Sequence, residues 1–313
     1  LKEIFSWSSD DSYANPGRPV MVEGPFGKDI VYAPKNHTQL LMMSDGASPE
    51  GDMPLLSRYT IPTQKKEILW QCKAPYYEHI MSIHANAKVP QFITSRESQS
   101  ETANFHLYTI GKKGEKQITN FGNPYPMLEG VTKQKIKYKR ADGLDLTATV
   151  YLPAGYDKER DGRLPVFMFA YPREYRSKAD AGQVRGSQYT FPVLTYRTPA
   201  FWVTRGYCVM ENVEMPIVGT DDTEPNDHFI EQLVMDAEAA VKGASGAMSA
   251  RDLINVIRAR AGKWEYNNNY EYPMSADYSA ELVAATPQTI TIDYILDERL
   301  REYCGDGFRW FDL

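Results

Sequence analysis

Near residue 245 the chain changes its pattern, and the residues downstream cannot complete the sheet begun upstream. Before that point, short β-branched and alternating runs give way to a strand, strand, helix order. After it, from residue 248 to 313, the apolar residues recur at helical spacing and no run reads as a parallel-sheet strand. An α/β sheet begun before residue 245 is therefore left open, with an unpaired edge and an uncovered apolar face. Expressed alone, its strands "VFMFA" and "YCVMENV" are aggregation hazards, and the middle of the chain is expected to be poorly soluble or partly disordered. The chain starts at Leu1 without Met and stops at Leu313 after an aromatic cluster, so both ends read as cuts inside structured regions.

Residues 1 to 125 read as strands between turns. "KDIVYAP", "QLLMMSD", "LSRYTIP", "KKEILWQC", "PQFITSRES" and "NFHLYTIG" carry the apolar pattern, and "DGASPEGD" and "GKKGEK" break it. Strands at such intervals suggest propeller blades or a sandwich. Lys112, Lys113 and Gly114 supply a tight turn inside one blade-like pair. From 126 to 243, two alternating strands meet at Asp142-Gly143. "RLPVFMFAYP" reads as a strand buried on both faces. A helix comes next, capped at Asn226 or Asp227, with Phe229, Ile230, Leu233, Val234, Ala237 and Val241 as its apolar stripe. Residues 244 to 247 form a flexible joint. In the last stretch Ser249 caps a helix striped by Leu253, Val256 and Ile257 and ended by Gly262. A polar loop from Trp264 to Tyr278 precedes a second helix capped by Thr291.

The chemistry is defined mainly by residues that the 313 lack. No G-x-S-x-G string occurs, and Gly243-Ala244-Ser245-Gly246-Ala247 follows no strand. The five histidines end at His228, so no later serine can be completed in the order Ser, Asp, His. His79 and His84 are five apart in a strand-like run, which does not fit a zinc peptidase, and they read as partly buried structural histidines. The acidic run around Asp227 misses the calcium-loop spacing. No metal and no cofactor is expected. Cys72, Cys208 and Cys304 match no metal or disulfide spacing and read as buried free thiols. A thiol nucleophile at Cys208 beside His228 is the remaining route to activity, and burial works against it. A net charge of −6 argues against nucleic acid, and no apolar run is long enough for a transmembrane helix. Arg173, Arg176 and Lys178 follow the strand at "VFMFAYP", where a basic cluster can meet a substrate carboxylate, although solvated loop charges are the plainer reading. The tyrosine-rich loop is the one feature suggesting a glycan or protein contact.

At "YPREYRSKADAGQVRGS", "TRGYCVMENVEMPIVG", "EPNDHFIEQLV" and "GDMPLL" the chain resembles prolyl-oligopeptidase-family serine peptidases, in their glutamyl-peptidase-like branch. The resemblance covers about residues 1 to 243. It implies partial β-propeller blades over 1 to 125, the first part of an α/β-hydrolase sheet over 126 to 243, and a peptide substrate. It also sets Tyr171 where the family often supplies an oxyanion-hole group, and it supplies none of the three triad residues. At "LINVIRARAG", "LDERLRE" and "GFRWFDL" the chain resembles the SusD/RagB family of helical outer-membrane lipoproteins, over residues 248 to 313. That resemblance implies a glycan ligand and an outer-membrane transporter as partner. Together the two imply a periplasmic or outer-membrane setting in a Gram-negative bacterium. The expected fold class is mixed: partial blades, then the opening of a hydrolase sheet, then an α-helical SusD-like segment. The expected activity is that of a non-catalytic chimera, with glycan binding or a peptidase with an unusual nucleophile as alternatives.

Overall fold

The computed structural model describes residues 3–195, 198–219, 223–245, 254, 255, 258, 259, 262, 277–291, 293–295, 297 and 298. The chain forms two compact units, one of Leu1–Lys137 with Leu144–His228, the other of Tyr138–Gly143 with Phe229–Leu313.

The first unit is mostly sheet. Its N-terminal strands are β1 (Arg18–Pro19), β2 (Met21–Glu23), β3 (Asp29–Val31), β4 (Gln39–Ser44), β5 (Leu55–Thr60) and β6 (Lys65–Gln71). Four more come after them: β7 (Tyr77–His84), β8 (Gln91–Glu97), β9 (Asn104–Thr109) and β10 (Glu115–Gln117). They form two four-stranded sheets, β1-β4-β5-β6 and β10-β9-β8-β7, and a small ribbon β2-β3. β4, β5, β8 and β9 bring apolar side chains to the two larger sheets, and a sheet face that carries such side chains must be covered. Val20, Leu41, Leu56, Ala85, Phe92 and Tyr108 meet in one core and supply that cover. Phe92 stacks on Tyr108 with centroids 4.9 Å apart, and Trp70 meets both edge-on. The strand readings for these residues hold, and the "GKKGEK" turn joins β9 to β10.

Four further strands form the third sheet: β11 (Thr132–Lys139), β12 (Asp145–Leu152), β13 (Val166–Tyr175) and β14 (Cys208–Val218). Their order is β11-β12-β14-β13. β12 runs antiparallel to β14, and β13 runs parallel to it. Gly143 turns the chain between β11 and β12 at φ +87°, a conformation that costs an L side chain energy. The expectation that β13 is buried on both faces is overturned. Val166 is 44% exposed, Phe169 50% and Tyr171 83%. β13 is the last strand of its sheet, and it pairs on one side only among the described residues.

In the second unit, α1 (Phe229–Ser245) follows a 3-10 turn over Pro225–His228. The helix thus starts two residues after Asp227 and three after Asn226, the two expected caps, and the Asp227 carboxylate accepts from the Glu224 N–H in the turn before it. The buried face of α1 is also not the expected stripe. Asp236 and Ala240 are fully buried, with Gln232 and Ala239 beside them, while Ile230 is 66% exposed. The cause is Arg140, buried in the same unit, whose guanidinium reaches Asp236 at 2.9 Å and Gln232 at 3.2 Å. A short helix, α2 (Ser279–Ala284), begins at the end of the tyrosine-rich loop, where the sequence pattern predicts none. The Thr291 cap holds: its hydroxyl accepts from the Tyr294 N–H at 3.2 Å. Ser249, Leu253, Val256, Ile257, the 246–247 part of the joint, most of the tyrosine-rich loop and Cys304 lie outside the described residues. No helix among the described residues is long and apolar enough to cross a membrane.

Candidate functional site: a cleft on the third sheet

β11, β12, β14 and β13 present one face to a cleft of about 680 Å³. The strands set its chemistry by alternation, since every second residue points to the same side. β11 contributes Lys133 and Lys135, and β12 contributes Thr147, Thr149 and Tyr151; β14 contributes Glu211 and Glu214, three apart because a β-bulge at Asn212 adds one residue between them. Tyr171 and Arg173, two apart on β13, also line it. The loop after β13 adds Arg185, Thr190 and Phe191.

The electrostatics are those of charges taken out of water. Burial pushes the Lys133 amine down to about 8, and it lowers Lys135 as well. Burial pushes the Glu214 carboxyl up to about 7, against the Thr147 N–H that it accepts at 2.7 Å. Burial also raises Glu97, which accepts from the Phe191 backbone. Lys133 Nζ donates to Thr190 O at 2.9 Å and to the Thr190 hydroxyl, and lies 5.7 Å over the Tyr151 ring. Lys135 Nζ donates to the Arg185 carbonyl. Arg185 holds the segment around residue 12 through the Ser12 hydroxyl and the Asp10 carbonyl. The cleft therefore has a floor of buried titratable groups and a rim with an exposed phenol at Tyr171.

Of the candidate residues named from sequence, the structure brings Tyr171 and Arg173 together in this cleft. Arg173 lies on the strand itself rather than in a following loop, 5.1 Å from the Tyr175 ring and 4.0 Å from Asp10. Arg176 is exposed beyond the end of β13 and does not line the cleft. Lys133, Lys135 and Glu214 carry no motif that marks them in the sequence. Cys72 and Cys208 are free and buried, as expected, and burial pushes the Cys208 thiol up. His79 is half-buried on β7, whereas His84 is exposed. No group of three or more His, Cys, Asp or Glu able to hold a metal occurs among the described residues.

The family model described as "SusD family" matches residues 155–313, about half of the chain, and so reaches back well before residue 248. The "Probable glutamyl endopeptidase, chloroplastic" of Oryza sativa subsp. japonica is 40% identical over 250 residues, 76% of this chain and 27% of the relative. The protein of the same description from Arabidopsis thaliana is 37% identical over 251 residues, 76% of this chain and 26% of the relative. The chain thus spans about a quarter of the length of the curated relatives it matches. The SusD match and the endopeptidase match share residues, since together they exceed the chain. Among solved structures, a post-proline cleaving enzyme from Rickettsia typhi aligns with a TM-score of 0.37 at 12% identity, covering 69% of this chain and 30% of that one. An acylaminoacyl peptidase from Pyrococcus horikoshii aligns with a TM-score of 0.34 at 15% identity, covering 61% and 25%.

Proposed function

The chain belongs to the SusD family through residues 155–313, and on that premise we propose a binding protein rather than a hydrolase: a peptidase-type scaffold that holds a peptide without cutting it, followed by a SusD-type part. The observation that carries the reading is the cleft, where Tyr171 and Arg173 stand two apart on one exposed edge strand above buried cations. A guanidinium so placed can take a carboxylate through two parallel hydrogen bonds. The likeness to glutamyl endopeptidases over 76% of the chain supports a peptide as the ligand.

In this reading residues 1–125 are partial propeller blades, 126–243 the opening of a hydrolase sheet and 248–313 the SusD-like part, although the family match begins at residue 155 and α1 runs through Ser245 into the expected joint of 244–247. The β11-β12-β14-β13 order, with one parallel pair, supports the middle assignment. Tyr171 then stands where an oxyanion-hole group would polarise a carbonyl. The 313 residues hold no G-x-S-x-G serine beside it. Arg176, exposed at the strand end, extends the basic rim. The Cys208 and His228 route is disfavoured, because burial moves that thiol away from the thiolate form. A glycan and nutrient-uptake role, with an outer-membrane transporter as partner, is the second reading, and the family match supports it.

The test has two arms. A fluorophosphonate probe on the purified chain should give no stoichiometric labelling, and labelling that survives repurification would reject the non-hydrolytic reading. Anisotropy of fluorescent acidic peptides should show binding that Arg173→Ala weakens about tenfold, the scale of one charge-assisted hydrogen bond. Peptides that bind equally well to both proteins would remove Arg173 from the site.

A further inference from the structure

Lys133 is an unusual lysine. It is 7% exposed, although lysine is almost never buried without a charged partner. It enters no ion pair among the described residues, and its Nζ is anchored by the carbonyl and hydroxyl of Thr190. Tyr151 lies under it, and Glu97 and Glu211 are the carboxylates whose charge it feels, with Lys135 as the nearby cation. Thr190, Tyr151, Glu97 and Glu211 all line the same cleft as Lys133, so the amine sits in the wall of a cavity. Phe169, Phe191 and Val193 line that cavity too and give it an apolar side.

We propose that Lys133 is a Schiff-base-forming amine, which condenses in this cleft with a small aldehyde carrying an apolar substituent. The reading stands on its own and needs no peptide in the cleft. The nitrogen lone pair attacks the carbonyl carbon, a C–N bond forms, and the C–O π bond opens to a hydroxyl as a proton moves from nitrogen to oxygen. Loss of that hydroxyl as one water leaves a C=N bond. The Glu97 carboxylate takes the proton from the iminium nitrogen and passes it to the departing hydroxide, which leaves as water. No oxidant or reductant is consumed. Two features favour the step. The amine is held at one end of its stem by Thr190, which limits its rotamers. Burial also leaves much more of it unprotonated near neutral pH, by roughly three-hundredfold over an ordinary lysine for a pKa of about 8.

The test is site-resolved trapping on the full chain. Benzaldehyde and sodium cyanoborohydride are added near neutral pH, and alkylation of each lysine is followed over time by peptide mapping. Lys133 should be alkylated about tenfold or more faster than the exposed Lys28 and Lys65 in the same sample. Glu97→Gln should slow Lys133 several-fold and leave Lys28 unchanged. Lys133 reacting no faster than Lys28 overturns the proposal, as does preferential capture at Lys135. Slowing of all lysines together by Glu97→Gln would remove Glu97 from its role as proton donor.

Discussion

Arg140 ties several side chains of the second unit to one buried guanidinium. It is 3% exposed, and its guanidinium binds both oxygens of Asp142, one oxygen of Asp236 and the side chain of Gln232. Replacing it with Met would leave Asp236 buried without its counter-ion. Such a loss costs about 3–5 kcal/mol, so Arg140→Met should lower the stability of this unit by that amount in urea unfolding. Glu214 makes a prediction of opposite character in the first unit. Its folded pKa, raised by burial to about 7, lies above the ordinary glutamate value of 4.5. The folded state therefore holds its proton more tightly than the unfolded state. Stability from this group is full below the unfolded value and is lost as pH rises through about 7, by at most about 3 kcal/mol for a shift of this size. Glu214→Gln should flatten the melting temperature of the first unit between those limits, and an unchanged profile would mean that the carboxylate is solvated. Neither Glu214 nor Lys133 is legible in the sequence. "TKQKIKYK" alternates lysine with other residues, which is how a solvated face reads, and only the cover supplied by residues 185–190 turns Lys133 inward. Tyr171 is legible because the family likeness implies an oxyanion-hole group at its position, and Arg173 because it opens a basic cluster after an apolar strand.

At the scale of elements, periodicity locates most of the described strands and the main helix, because alternation and helical spacing are local properties. It cannot report which face or edge is covered. "RLPVFMFAYP" is as apolar as a central strand, yet β13 ends its sheet with Val166, Phe169 and Tyr171 exposed. In α1 the apolar stripe is legible, but the most buried positions are Asp236 and Ala240, chosen by a guanidinium far off in sequence. α2 leaves no signal because six residues, closed by Thr286 and Pro287, are too few for a helical period to show. The β13 edge has a consequence in solution. A long apolar edge strand offers free backbone donors and acceptors to another chain, and a lysine on such an edge opposes that pairing. Val166→Lys, at a position 44% exposed, should reduce concentration-dependent light scattering without lowering the melting temperature by more than about 1 kcal/mol in equivalent stability. Scattering that does not change would locate the self-association elsewhere.

At the scale of the whole molecule, two kinds of boundary fall at different places. The sequence pattern changes near residue 245, whereas the compact units divide between His228 and Phe229. Periodicity reports the face each segment needs covered; compactness reports which residues cover it. α1 illustrates the difference, for it comes after the sheet strands in sequence yet is held by the Tyr138–Gly143 stretch within its own unit. Gly243 shows how close that packing is, since a Cβ there would come within 2.9 Å of the Tyr138 ring. Each unit has its own interior: aromatic and aliphatic side chains between sheets in one, a buried ion pair with Ala239 and Ala240 in the other. Two interiors with different chemistry should lose structure at different temperatures, so calorimetry of the full chain should show two transitions rather than one. Arg140→Met should move only the transition of the second unit, and Glu214→Gln only that of the first. A single sharp transition, shifted by both substitutions, would mean that the units fold as one cooperative body and that neither interior is independent of the other.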